Sequence, residues 1–231
     1  MINTSIVAAD IATSYKNAIP FPHAVIDNFL EEKLANSIFD ELNSVDISNW
    51  YHDSHHYQIN KWSMSDLSRL PEVTANTLSE FNSSKTLSFF EQLTGINNLI
   101  ADPDYIGGGV HISSSGGKLG IHADFNLHPT SNNHRRLNAL LFLNPEWRPE
   151  WNGQLQLWGA DMKTCFQKIE PIFNRLVIFN VTDTAYHGVP DTIMCPDHIK
   201  RLSLALYYYT ADRPENEKAP FHWAAWQTPS L

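Results

Sequence analysis

Cysteine is scarce in this chain of 231 residues: Cys165 and Cys195 are the only two. Two thiols are too few for a disulfide scaffold or a cysteine-built zinc site, and they read as buried free thiols of a reducing cytosol. Long apolar runs are missing as well, so no segment has the length of a membrane-spanning helix. The stretch from Met1 to Asp10 has no basic region and only a short apolar run, which is not the pattern of a signal peptide. Positive charge is in deficit: 16 Lys and Arg face 25 Asp and Glu, for a formal net charge of −9. That balance argues against binding nucleic acid through a basic stripe, though a local patch such as Arg135-Arg136 stays open. Internal repeats and low-complexity tracts are absent too. These absences point to a cytoplasmic enzyme or binding protein with no nucleic-acid or membrane partner.

What is present is ordinary globular composition, 42% hydrophobic and 18% charged, in a chain long enough to bury a sizeable core. It reads as one domain over 1–231, with 1–103 mainly helical support, 104–210 a jelly-roll core and 211–231 a C-terminal tail. A short strand over 23–30 follows Pro20 and Pro22. A helix runs from Glu31 to Leu42, with Leu34, Ile38, Phe39 and Leu42 at helical spacing. Residues 43–69 read as polar and irregular, with His52, His55 and His56 clustered. Pro71-Glu72 starts a second helix, and Ser83-Ser84 opens a third that ends at Gly95. From Tyr105 the pattern changes to short strands over 105–113, 119–126, 136–144, 153–158, 164–170, 174–180, 185–189 and 201–209. Such a series predicts a double-sheet jelly roll or barrel. Strand 137–143 is apolar on both faces, as a sheet covered by the N-terminal helices requires. The expected class is mainly β with flanking helices, a cupin-like jelly roll buttressed by the N-terminal helices.

Side chains two apart on a strand share a face, so His122 and Asp124 project together. Asn126 and His128 join that face if the strand continues, and both are candidate substrate contacts. His187, in Ala185-Tyr186-His187-Gly188, must come from elsewhere in the fold to complete a set of three. Two imidazoles and one carboxylate on a single face can hold Fe(II) and leave the remaining positions open. Arg201 opens an apolar strand, where a charge needs a partner. Its guanidinium can clamp the carboxylate of an organic co-substrate. Ser203 shares its face and is placed to add a hydroxyl.

With these residues in view, the chain resembles the Fe(II)/2-oxoglutarate-dependent oxygenases, on their prolyl-4-hydroxylase-like branch. The resemblance is carried by His122-Ala123-Asp124-Phe125-Asn126, by Arg135-Arg136-Leu137-Asn138 leading to Leu143-Asn144, by Gly153-Gln154-Leu155 and by Phe173-Asn174-Arg175. The His187 and Arg201 segments and the opening from Pro22 to Leu30 add to it, so that it covers residues 20–213. It implies a double-stranded β-helix, with His122, Asp124 and His187 as iron ligands and Arg201 as the partner of the distal carboxylate of 2-oxoglutarate. Ser203 matches the second position of an Arg-x-Ser pattern. Asp124 implies hydroxylation, since related halogenases replace this carboxylate by a small residue. Two positions depart from prolyl hydroxylases, which often carry Tyr at both. They are Phe142, just before Leu143-Asn144, and Ile112, ten residues before the first metal histidine. Co-substrate contacts then lean on Arg201 and Ser203, with Asn138, which shares a face with Phe142.

The implied cofactors are Fe(II), 2-oxoglutarate and O2, with ascorbate as an optional addition. The expected reaction hydroxylates a C–H bond of a peptide or small-molecule substrate and releases succinate and CO2. The competing class is a non-catalytic metal-binding jelly roll, a sensor or structural module, which has no need of a carboxylate clamp at Arg201. His52, His55 and His56 read as solvated, His111 as a satisfied strand histidine, and Trp147, Trp151 and Trp158 as rim packing. The segment 221–226 is expected to dock on the body. The oligomeric state stays open.

Overall fold

Helices and a strand hairpin alternate at the start of the chain. They are α1 (Ala8–Asn17), β1 (His23–Ile26), α2 (Glu32–Ser44), β2 (Tyr51–His55), β3 (Gln58–Met64), α3 (Glu72–Phe81) and α4 (Ser84–Thr94). Strands dominate afterwards: β4 (Ile100–Ala101), β5 (Gly109–Ala123), β6 (His134–Phe142), β7 (Leu155–Trp158), β8 (Cys165–Ile169), β9 (Arg175–Asn180), β10 (His187–Val189), β11 (Arg201–Thr210) and β12 (Ala225–Trp226). This computed structural model describes residues 1–228, so 229–231 of the expected tail lie outside the described residues. No helix among the described residues is long and apolar enough to cross a membrane.

The helices end where the sequence places their signals. Ser83 accepts from the Thr86 amide at 3.3 Å to cap α4, and Gly95 closes it in the left-handed region at φ 74°. The start of α3 has no side-chain cap of its own. The Glu41 carboxylate of α2 fills that role, accepting from the Val73 and Thr74 amides at 2.9 and 2.8 Å. An anion at the positive end of α3 thus ties two helices together. Helix α1 escaped the sequence reading. It is anchored by Tyr15, which is buried and donates from its hydroxyl to Asn180 of β9.

The strands form a curled antiparallel sheet in the order β1-β9-β6-β11-β5-β10-β7-β8. Residues of β6 alternate between two cores. Leu137, Ala139 and Leu141 pack with Phe81, Phe90 and Leu93 of the helices. Leu140 and Phe142 meet Leu155 and Leu157 of β7 and Phe179 of β9. The sheet therefore curls so that its two limbs share an interior while the helices cover the outside of one limb. That is the jelly roll with a helical buttress that the apolar strand 137–143 predicted.

Two expectations need correction. Residues 43–69 are not irregular: the β2–β3 hairpin lies within them and β3 pairs along β5. Most of β3 is only half-buried, so it shows no apolar face in the sequence. His52 and His55 lie on β2, and the His52 ring stacks on Trp62 at 4.5 Å. The strands expected over 105–113 and 119–126 are a single long strand, β5, ending at Ala123. Between the pairs Lys61↔Ser113 and Ile59↔Lys118, β3 advances two residues while β5 advances five. Gly116 at φ 79° and Asn60 at φ 49° absorb this bulge, and Asn60 donates to the Ser115 carbonyl at 3.0 Å. The excess is odd, so the parity of site-facing residues flips across it.

Candidate metal centre

The ligands come from paired strands. His187 of β10 lies directly across from His122 of β5, and the two rings are 4.6 Å apart. Gly188 makes this close pairing possible, because a Cβ there would come within 2.6 Å of the Gly120 carbonyl oxygen. Asp124 follows immediately after the end of β5. Its Oδ1 is 3.6 Å from His122 Nε2 and its Oδ2 is 3.4 Å from His187 Nε2. One ligand atom from each of the three lies within 4.8 Å of the others.

The protonation states suit a metal. His122 Nδ1 is 2.9 Å from the Gly120 carbonyl, and His187 Nδ1 is 2.9 Å from the Ala185 carbonyl. A carbonyl only accepts, so each Nδ1 donates there and each ring turns its Nε2 towards Asp124. Burial pushes His187 down to about 4, against the opposing pull of Asp124, so this imidazole is neutral at pH 7. Burial alone would raise Asp124, but the Arg135 guanidinium beside it holds it well below the usual carboxylate range. The result is one carboxylate and two imidazoles, which fits an open-sided iron site.

A cavity of about 230 Å³ connects this triad to Arg201, Ser203 and Phe142. Arg201 is buried, and its Nε donates to the Gly153 carbonyl at 2.8 Å. Its guanidinium carbon sits 4.8 Å from the Phe142 ring centre. Burial lowers its pKa to about 10, and no carboxylate among the described residues offsets that. Ser203 is buried across the ladder from Phe142 and His111. One end of the cavity thus holds a cation without an anion.

Several expected residues land elsewhere. Ile112 is buried in the helix-side core, and its neighbours His111 and Ser113 line the cavity instead, a consequence of the odd bulge. His111 is satisfied by the Gly107 carbonyl at 3.0 Å, and burial holds its pKa well below 6.5. Asn138 lines the cavity, but its amide is engaged: Nδ2 donates to Asp124 Oδ2 at 2.6 Å. Asn126 and His128 do not share the face of His122, because β5 stops at Ala123. Asn126 holds the tail, donating to the Pro220 carbonyl at 2.9 Å and accepting from the His222 amide at 3.1 Å. His128 is buried with Nε2 3.4 Å from Asp102. Neither lines the cavity, so their placement gives a substrate role no support. Trp147 packs edge-on against Trp151 at 5.5 Å, and Trp158 packs with Ile121 and Met162.

Three contributors to the site escaped the sequence reading. Tail strand β12 pairs with β5, setting Trp226 opposite His122, with the rings 4.8 Å apart. The Trp226 ring stacks on Tyr57 of the hairpin turn at 5.0 Å. Arg135 is 1% exposed and Arg136 pairs with Glu217 at 3.5 Å, so neither forms a surface basic patch. The first two lacked a hydrophobic pattern. The third carried its signal in the Arg-Arg-Leu-Asn run, without showing which arginine turns inward.

Comparison with known proteins agrees with this geometry. Residues 108–209 match the sequence model of the 2OG-Fe(II) oxygenase superfamily. The mouse (Mus musculus) prolyl 3-hydroxylase OGFOD1 is 25% identical over 195 residues, 82% of this chain and 33% of the relative. The chain therefore spans a third of the length of that curated relative. Among solved structures, it resembles a Trichoplax adhaerens prolyl hydroxylase in complex with a hypoxia inducible factor oxygen degradation domain peptide fragment. The two are 21% identical, with a TM-score of 0.61 over 87% of this chain and 88% of that one. HygX from Streptomyces hygroscopicus, with nickel, 2-oxoglutarate and hygromycin B bound, is 13% identical with a TM-score of 0.55 over 88% and 92%. These structural likenesses establish the double-stranded β-helix. The match over residues 108–209 contains the whole triad, so the segment of the chain that is similar to the 2OG-Fe(II) oxygenase superfamily is the one that carries the candidate metal centre. The cofactors that the family match and the triad imply are iron and 2-oxoglutarate.

Proposed function

We propose that the protein is an Fe(II)- and 2-oxoglutarate-dependent dioxygenase that hydroxylates a C–H bond of its substrate and releases succinate and CO2. The observation that carries this is a single cavity with the His122, Asp124, His187 triad at one end and, at the other, the guanidinium of Arg201, which no carboxylate among the described residues pairs. Iron, when bound, supplies the oxygen-activating chemistry. The chain supplies binding, orientation and exclusion of water. Arg201 takes the distal carboxylate of 2-oxoglutarate and Ser203 adds its hydroxyl. Phe142 has no hydroxyl to offer, so the clamp consists of these two residues. Leu140, Phe142 and Leu155 give the cavity apolar walls that keep water from the co-substrate. A non-catalytic metal module has no use for a buried cation aimed into the same cavity.

The substrate group is compact, either a residue of a peptide or part of a small metabolite. Strand β12 already fills the β5 edge at His122, so a peptide does not add there as a strand. It approaches past the Tyr57–Trp226 stack instead. Succinate release measured with Fe(II) and 2-oxoglutarate, across peptides and small metabolites, tests this function and separates the two classes. His122→Ala and Asp124→Ala should each abolish release, and full turnover in either variant would sink the assignment.

A further inference from the structure

Asp124 has two carboxylate oxygens, and the protein treats them differently. Asn138 Nδ2 donates to Oδ2 at 2.6 Å, and Arg135 Nη2 lies 3.3 Å from the same oxygen. Each oxygen also faces one histidine of the triad, Oδ1 facing His122 at 3.6 Å and Oδ2 facing His187 at 3.4 Å, but among the described residues no group outside the triad pairs with Oδ1. The two groups that hold Oδ2, one by a hydrogen bond and one by its charge, are themselves locked. Asn138 Oδ1 accepts from Arg135 Nε and Nη2 at 3.1 and 2.7 Å, which fixes the orientation of its amide. Arg135 is held between two aromatic rings, 4.4 Å from the centre of Phe125 and 3.4 Å from that of Tyr207. Tyr207 is fixed in turn by donating to the Gly107 carbonyl at 2.9 Å.

We propose that Arg135 and Asn138 are positioning residues that commit Oδ2 of Asp124 to the protein and leave Oδ1 as the single metal-binding oxygen. This inference rests on reading the site as an iron centre. A carboxylate free at both oxygens can bind a cation through both and occupy one more coordination position. An iron oxygenase of this kind needs those positions for its co-substrate and O2. A neutral amide and a cation on the same oxygen oppose that second bond by geometry and by charge. Asn138 is therefore placed to act through Asp124 and not on 2-oxoglutarate. The guanidinium also offsets the carboxylate charge inside the cavity, which explains why so buried an arginine is present.

The test uses Co(II) alone, without 2-oxoglutarate, on the full chain under anaerobic conditions. Asn138→Ala should bind Co(II) tenfold to a hundredfold more weakly than the unaltered protein, the usual effect of removing a group that orients a ligand. Arg135→Lys keeps the charge but not the fork, and should fall in the same range. Crystals of the Co(II)-loaded unaltered protein should show Asp124 bound through Oδ1 alone, and crystals of Asn138→Ala should show both oxygens on the metal. A merely structural role would change thermal stability without changing the binding mode. Binding through Oδ2 or both oxygens in the unaltered protein would overturn the proposal, as would Asn138→Ala with unchanged Co(II) affinity. If Arg135→Lys fails to fold, Asn138→Ala and the unaltered protein still decide it. An unaltered protein that binds no Co(II) at all refutes the iron-centre reading itself, a result distinct from equal binding by protein and variant.

Discussion

Replacing Arg201 by Met should weaken 2-oxoglutarate binding severely while leaving the ligand-free fold nearly as stable as before. Arg201 is buried, and among the described residues its only hydrogen bond is from Nε to the Gly153 carbonyl at 2.8 Å. Its two terminal nitrogens are thus available to both oxygens of a carboxylate. Each charge-assisted bond contributes about 1.5–3 kcal/mol, so losing two costs about 3–6 kcal/mol, on the order of a hundredfold to ten thousandfold in Kd. In the ligand-free protein the balance is different. Removing an uncompensated cation relieves the burial that brings its pKa down to about 10, and Met fills similar space. Against this stands about 1 kcal/mol for the bond to Gly153. Ligand-free stability should therefore change by no more than about 1 kcal/mol, where breaking a buried ion pair would cost about 3–5 kcal/mol. Anaerobic calorimetric titration of the Co(II)-loaded protein with 2-oxoglutarate reads the first quantity, and urea denaturation of the ligand-free protein reads the second. A Kd within threefold of the unaltered protein would refute the clamp. A loss of more than about 3 kcal/mol without ligand would show that Arg201 already has a partner within the fold.

The metal-free protein should lose stability as pH falls from 6.5 towards 4. His187 is held near 4 chiefly by burial, so between these values the unfolded chain takes up a proton that the folded chain refuses. That amounts to about 3 kcal/mol over the window, and His111, also lowered by burial, adds in the same direction. Urea midpoints at pH 7 and 4.5 should separate, and His187→Asn should narrow the gap; equal midpoints in the unaltered protein would contradict the burial argument. Asn126→Ala removes both bonds that hold Pro220 and His222, so the tail should detach more often from β5. Hydrogen exchange at the Gln227 amide, which donates to the Ile121 carbonyl at 2.8 Å, should speed up by about tenfold or more while β6 stays protected. Unchanged exchange there would mean that β12 holds without Asn126.

The pairing of His122 with Asp124 was legible because it obeys a local rule. His122 and Asp124 sit two apart at the end of a strand, and that spacing survives even though Asp124 lies just past the last strand residue. The inward face of β11 was equally legible, since Arg201 and Ser203 interrupt an otherwise apolar alternation. Ile112 was misplaced for the opposite reason. Its distance from His122 counts residues along the chain, and the bulge at Gly116 breaks the link between that count and the face a side chain occupies. Asn138 was seen on the cavity face, but its bond to Asp124 was not legible, because it crosses between β6 and the loop after β5. The hairpin and β12 were invisible as strands because neither carries a buried alternation; backbone pairing to β5 defines them instead.

The bulge in β5 divides one strand between two phases. On one side of it His111 and Ser113 sit across from Ser203 and Arg201, and on the other His122 sits across from His187. An insertion or deletion of two residues in this segment preserves both faces, whereas a change of one residue turns one half away from the cavity. Length variation at residues 114–117 is thus quantised. The loop-like run of serines and glycines, which looks like the most permissive stretch of the strand, sets the register between the His122–His187 pair and Arg201.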